Sequence, residues 1–141
     1  MEKLNSKTEA LMCERFGKDN LIALASVYKG KPYVRAVNTY YMDGSFYVVT
    51  DARSSKMLHF AEDPSCAICG DWFTAQAFTE NLGHVLLPEH EERMKTLREA
   101  FREWYSLGHV NEADENTILL RLRLISGVLM DHGTKHEIDF T

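Results

Sequence analysis

The stretch Pro32 to Lys56, PYVRAVNTYYMDGSFYVVTDARSSK, limits the fold more than any other part of the chain. Tyr33, Val34, Ala36, Val37, Tyr40 and Tyr41 precede Asp43-Gly44, and Phe46, Tyr47, Val48, Val49 and Thr50 follow it. That density of β-branched and aromatic residues reads as two strands folded back on each other. Asp43-Gly44 is then the hairpin turn, because glycine accepts the positive φ that tight hairpins need. The second strand runs into Asp51-Ala-Arg-Ser-Ser-Lys56, where Ser54 or Ser55 caps a helix reaching about Asp63, ahead of Pro64.

A helix start offers unpaired N–H groups and a partial positive charge, and Ser54, Ser55, Arg53 and Lys56 stand beside this one. Arg35, in the middle of the antiparallel partner strand, adds a planar fork of donors if its side chain shares a face with the end of the second strand. The residues outline a site shaped for phosphate. A plainer reading of the same residues is a serine that only caps a helix and three solvated surface charges, and local sequence leaves both readings open.

Along the rest of the chain, Ser6-Lys-Thr-Glu9 is a capping-box pattern, Leu11, Met12 and Phe16 recur at helical spacing, and Gly17 is placed to end the helix. Asn20 to Tyr28 is compact and apolar enough for a buried strand, turned by Lys29-Gly30-Lys31. After Pro64, Ser65 to Phe73 reads as a fourth strand and Ala75 to Leu87 as a fifth, bent near Asn81-Leu-Gly83. A long helix is expected from Glu89 to about Leu107, with Met94, Leu97, Phe101, Trp104 and Tyr105 on one core-facing stripe and Glu91 paired with Lys95. Ile118 to Ile125 alternates Leu120, Leu122 and Leu124 with Arg121 and Arg123, which is a half-exposed strand, and Ser126-Gly127 is read as a turn into a last strand, Val128 to Asp131. The tail from Gly133 to Thr141 has too little apolar content to fold alone. Strands in this number, joined by short turns and bracketed by helices, are most economically closed into a barrel.

A chain of 141 residues suits a single domain, residues 1–141, with a real core. Its net charge of −5, with lysines and arginines spread out, argues against a nucleic-acid partner. No apolar run approaches the ~20 residues of a membrane helix, and the N-terminus is charged and periodic, so a cytoplasmic protein is expected. Cysteine is present three times, an odd number, which argues against a disulfide framework. Cys66 and Cys69, three apart on a strand, point to opposite faces roughly 10 Å apart and cannot bridge; they read as buried thiols. His132 and His136 are separated by Gly133, which disfavours a helix that would align them on a metal. No G-x-S-x-G, H-E-x-x-H, G-x-G-x-x-G or P-loop pattern occurs, so hydrolase, zincin, Rossmann and NTPase readings lack a motif.

From Asn20 to Gly83, the order of hairpin, T-x-x-x-x-S-K, short helix, Asp-Pro and a strand ending in Trp72-Phe73 resembles the FMN-binding split barrels related to pyridoxamine 5'-phosphate oxidase, including general stress protein-like members. The resemblance implies a mainly β, six- to seven-stranded antiparallel split β-barrel with two to three flanking helices. It implies that Arg35, Ser55 and Lys56 hold the FMN phosphate, and that Ala36-Val37 and Val49-Thr50 line the isoalloxazine ring. It also implies a homodimer with FMN at the subunit interface, which the supply of aromatic residues (Tyr40, Tyr41, Trp72, Phe73, Trp104) favours too. The chain ends GVLMDHGTKHEIDFT, without the Arg- and Trp-rich C-terminal substrate signature of true pyridoxamine phosphate oxidases, which argues against pyridoxal phosphate synthesis. The expected function is that of an FMN flavoprotein, an oxidoreductase acting on a small molecule with a nicotinamide or similar donor. The alternatives are a flavin-binding or stress-associated protein without turnover, or the same barrel around a deazaflavin or haem.

Overall fold

The computed structural model describes the whole chain, Met1 to Thr141. A short β1 (Glu2–Lys3) leads into α1 (Ser6–Phe16), then β2 (Asn20–Tyr28), β3 (Lys31–Met42), β4 (Ser45–Asp51), α2 (Ser55–Glu62), β5 (Ser65–Gly70), β6 (Phe73–His84), a 3-10 turn (Pro88–His90), α3 (Glu91–Ala100), β7 (Thr117–Asp131) and β8 (Thr134–Asp139). The Asp43-Gly44 hairpin is present, with φ values of 50° and 80°, the two left-handed residues that the twist of a tight hairpin demands.

Six antiparallel strands lie in the order β7-β4-β3-β2-β5-β6, and β6 pairs back onto β7, which closes the barrel. β8 continues from the free edge of β7, and β1 adds to β8 in parallel. Alternation fills the interior: Leu120, Leu122 and Leu124 of β7 are buried, while Arg121 and Arg123 turn outward to Glu80 of β6 at 3.1 and 2.9 Å. α1 supplies Met12 and Phe16 to the same core, and the Phe16 ring lies 5.4 Å from Phe46 and 5.3 Å from Phe73. Outside the barrel, the expected stripe of Met94, Leu97 and Phe101 packs on Tyr47, Val85 and Leu119 as a second cluster. Each large side chain so buried contributes roughly 1.5–3 kcal/mol.

Several sequence expectations need correction. The capping box of α1 is built by Asn5 and Thr8, not by Ser6 and Glu9: Asn5 Oδ1 accepts from the amides of Lys7 and Thr8, and Thr8 Oγ1 accepts from the Asn5 amide. Glu9 is drawn inward instead, where it accepts from the Tyr41 hydroxyl at 2.7 Å. Trp72 does not end a strand. It occupies the hairpin between β5 and β6 at φ 50°, and the Arg15 guanidinium of α1 holds the Asp71 and Trp72 carbonyls. α3 stops at Ala100 and gives way to tight turns, because the residues that follow are tied elsewhere: Trp104 Nε1 donates to Asp19 at 2.9 Å, and the Tyr105 hydroxyl donates to Glu112. Lys95 pairs with Glu92, not Glu91, and only at 4.0 Å on the exposed surface. Of the two C-x-x-C thiols only Cys66 is buried; Cys69 is exposed.

The largest departure lies at Ser126-Gly127, which is not a turn. β7 runs through it unbroken for 15 residues, with a register shift against β6 opposite Gln76 and Ala77. On its other edge the strand pairs with β4 up to Arg123 and with β8 from Ser126. The tail therefore folds as β8, by adding to an edge that β4 vacates. Gly127 is required by close approach: a Cβ there would meet the Phe73 ring at 2.9 Å and the Thr74 carbonyl at 3.0 Å.

A Gly127→Ala substitution should lower stability by about 1–3 kcal/mol, the usual cost of overpacking. Gly44→Ala, where a Cβ meets nothing within 4 Å and only the left-handed φ of 80° resists, should cost about 1–2 kcal/mol. Urea denaturation of the two variants measures both; wild-type stability in Gly127→Ala would contradict the packing seen here.

Candidate functional site

The ladder between β3 and β4 is short. It comprises Tyr40↔Tyr47, Tyr41↔Phe46 and Met42↔Ser45, next to the hairpin turn, and no further pairs. Beyond it the strands separate, β3 staying on β2 and β4 on β7 over their whole remaining lengths. The barrel is split along this seam. Arg35, Ala36 and Val37 lie on the separated part of β3, Val49 and Thr50 on that of β4, and α2 begins four residues after β4 ends, at Ser55.

Arg35 is half-buried, and its side chain folds toward α2. Nη1 donates to the Leu24 carbonyl at 3.0 Å, and Nη2 lies 3.3 Å from Nδ1 of His59 on α2, which Ser26 Oγ also meets at 2.8 Å. Lys56, one turn before His59, is close enough to Arg35 for the two charges to act on each other. Burial first, and then the Arg35 charge, holds the Lys56 ammonium below the ordinary lysine range, with Asp51 opposing weakly. Burial likewise lowers Arg35. Neither cation makes an ion pair, although burying unpaired like charges is costly. The arrangement lacks one anion.

The remaining expected residues divide. Ser55 is exposed at the first turn of α2, next to Lys56. Ser54 occupies the N-cap but its hydroxyl donates to the Asp51 carbonyl, so no side chain takes the first amides of the helix. Those amides lie at the positive end of the helix. Ala36 is exposed, and Val37 turns its side chain into the core. Val49 and Thr50 line a cleft of about 310 Å³ with the loop 108–117. Arg53, by contrast, does not join the site: its guanidinium binds Asp51 and Asp114, each at 2.9 Å. That pairing holds the Asp51 carboxyl down to about 2.

His59 and Ser26 were not singled out by the sequence. The available signal was spacing, since His59 follows Lys56 by three and so shares its side of the helix. No group of three or more His, Cys, Asp or Glu side chains is placed to hold a metal ion. His132 lies at the β7–β8 turn and His136 within β8, where its Nδ1 is 3.3 Å from Glu2. Of the five aromatic residues weighed as interface material, Tyr41 and Phe73 are core, Tyr40 and Trp104 belong to the outer cluster, and only Trp72 is free, at 72% exposed. No helix is long and apolar enough to cross a membrane.

Among solved structures, the chain is similar to a FAD-binding protein from Mesorhizobium loti, with 14% identity over 88% of this chain and 92% of that one and a TM-score of 0.66. It is similar to the General Stress Protein 26 from Bacillus anthracis strain Sterne (14% identity, 84% and 90% covered, TM-score 0.65). It is also similar to HutZ, the heme storage protein from Vibrio cholerae (15% identity, 86% and 90% covered, TM-score 0.63). At such identities the likeness is one of fold. No curated protein matches the sequence. The sequence pattern of the family described as pyridoxamine 5'-phosphate oxidase, however, matches residues 9–127, from within α1 to Gly127 of β7, and the chain belongs to that family.

Proposed function

We propose that this chain is an FMN-binding flavoprotein that works as an oxidoreductase on a small molecule, with a nicotinamide or similar electron donor. The observation that carries the reading is the pair of cations, Arg35 and Lys56, brought together at a helix start with no carboxylate in ion-pair contact with either. A phosphate monoester supplies the missing charge. Arg35, Lys56 and Ser55 would hold it, with the amides of the first turn of α2. The backbone of Ala36-Val37 and of Val49-Thr50 would border the ring in the seam where β3 and β4 part. A flavin carries its own redox chemistry, so the protein need supply only binding, orientation and electrostatics, which fits the absence of a catalytic motif. All of residues 1–141 would serve as one FMN-binding domain. The exposed thiols Cys13 and Cys69 fit a reducing cytoplasm.

The partner in this reading is a second copy. A closed small barrel has its interior filled, so a flat ring sits against the outside and needs a cover. The outer face of β2 and β3 is apolar: Leu21 is 61% exposed, Val27 50% and Val34 69%, with Ala23, Ala25 and Ala36 between them. It continues into an open groove of about 450 Å³ reaching β5, β6 and β7. Such a face, beside the proposed site, suits a homodimer with FMN at the boundary.

The visible spectrum of the purified protein, with mass identification of whatever heat releases, tests the cofactor. Flavin bands and FMN are expected; a Soret band would indicate haem, and an F420-type spectrum a deazaflavin. Bleaching by NADH or NADPH is expected of the oxidoreductase, and its failure with every donor would favour a flavin-binding protein without turnover. Lys56→Ala and Arg35→Ala should each weaken FMN binding by about 1.5–3 kcal/mol, the scale of a charge-assisted hydrogen bond. Unchanged affinity in both would remove the site.

The pH dependence follows from Lys56. Only its ammonium form attracts phosphate, and in the folded protein that form is lost at lower pH than for an ordinary lysine. FMN affinity should therefore fall on alkaline titration before the ordinary lysine value of about 10.4 is reached. Lys56→Arg should abolish that fall, read by flavin fluorescence. Light scattering tests the dimer: a mass near twice 16.2 kDa is expected, and a monomer with full flavin occupancy would overturn the assembly.

A further inference from the structure

His59 lies buried behind the two cations, 5% exposed. Its ring stacks on Tyr28 of β2 (centroids 4.6 Å, planes 15° apart) and leans against Tyr33 of β3 (4.6 Å, 48°). Nδ1 faces Ser26 Oγ at 2.8 Å and Arg35 Nη2 at 3.3 Å. A guanidinium has only donors, so the nitrogen it meets must present a lone pair. Nδ1 of His59 therefore accepts from Arg35, which puts the ring proton on Nε2. Arg35 is thus held by two acceptors, the Leu24 carbonyl and His59 Nδ1, and its other N–H groups remain for an external anion.

We propose that His59 is the positioning residue of this anion site: the lone pair of its Nδ1 holds Arg35 aimed at the cofactor phosphate. The inference rests on the reading that Arg35 and Lys56 hold that phosphate. The two partners of Nδ1 differ in what they need. The Ser26 hydroxyl can turn to another acceptor, whereas Arg35 has only donors and depends on the lone pair. No carboxylate bonds Arg35 or the ring, and Asp51, the acid that acts on Lys56, is engaged by Arg53.

Two variants separate positioning from simple packing. Asparagine places an amide oxygen near the position of Nδ1, so His59→Asn keeps the acceptor; His59→Leu removes it. The full-length protein and both variants are titrated with FMN at about pH 7.5, after circular dichroism has established that each is folded. His59→Asn should bind within a few-fold of wild type and His59→Leu about tenfold more weakly, the ratio that corresponds to about 1.4 kcal/mol. Wild-type affinity in His59→Leu, or an equal loss in both variants, would overturn the inference. So would a ¹⁵N imidazole spectrum with the His59 proton on Nδ1, a readout that needs no flavin. Failure of wild type to bind FMN would instead sink the cofactor reading, and the inference with it; FMN binding without this order of affinities sinks only the role of His59.

Discussion

Closure of the sheet by β6 on β7 is the constraint from which the rest of the molecule follows. An open six-stranded sheet would leave two rows of unpaired amides, and β7 removes the problem by pairing with β4, β6 and β8 along 15 residues. To change partner from β4 to β8 it must bend. The register shift beside Ser126 and the missing side chain of Gly127, where the Phe73 ring passes, provide that bend. Once β7 is fixed, β4 is fixed along its entire length, and β3 is fixed independently by β2. The two need meet only at their shared turn.

That freedom creates the site. Because β3 and β4 are each secured on their outer neighbours, they can separate without leaving the sheet, and the seam opens beside the first turn of α2. Arg35 leaves the separated part of β3 toward Leu24 of β2 and His59 of α2, and Lys56 stands on the first turn of the same helix. Burial weakens the hold of both on their protons, and no acid forms an ion pair with either, Asp51 acting on Lys56 only from a distance, which is unfavourable for the empty protein and favourable for an anion that completes the set. Arg53 shows the contrast, being exposed, satisfied by Asp51 and Asp114, and unavailable.

Family membership and the similar solved structures agree with this architecture. They leave the ligand to the chemistry of the seam, since folds this similar include a FAD-binding protein and a heme storage protein.

What the sequence determined by itself is what local physics controls. Asp43-Gly44 had to be a tight turn because few residues tolerate two successive left-handed conformations. The alternation of Leu120, Leu122 and Leu124 had to bury one face of a strand, and Ser55-Lys56 had to begin a helix between a strand and Pro64. Reading failed where a distant contact overrode the local signal. Ser126-Gly127 looks like a turn until the Phe73 ring is placed against it. Trp72 looks like strand until Arg15 of α1 takes its carbonyl. Glu9 looks like half of a capping box until Tyr41, on a strand 32 residues away, claims it. The candidate site divides the same way. The hairpin and helix start offered Arg35, Ser55 and Lys56 as candidates, and the fold brings the charges of Arg35 and Lys56 within reach of each other, but that Arg53 is spent on Asp114 and that His59 and Ser26 stand behind Arg35 was decided only by how α2 packs across β2. Side-chain partners separated by tens of residues depend on strand register and helix placement, and no local pattern encodes those.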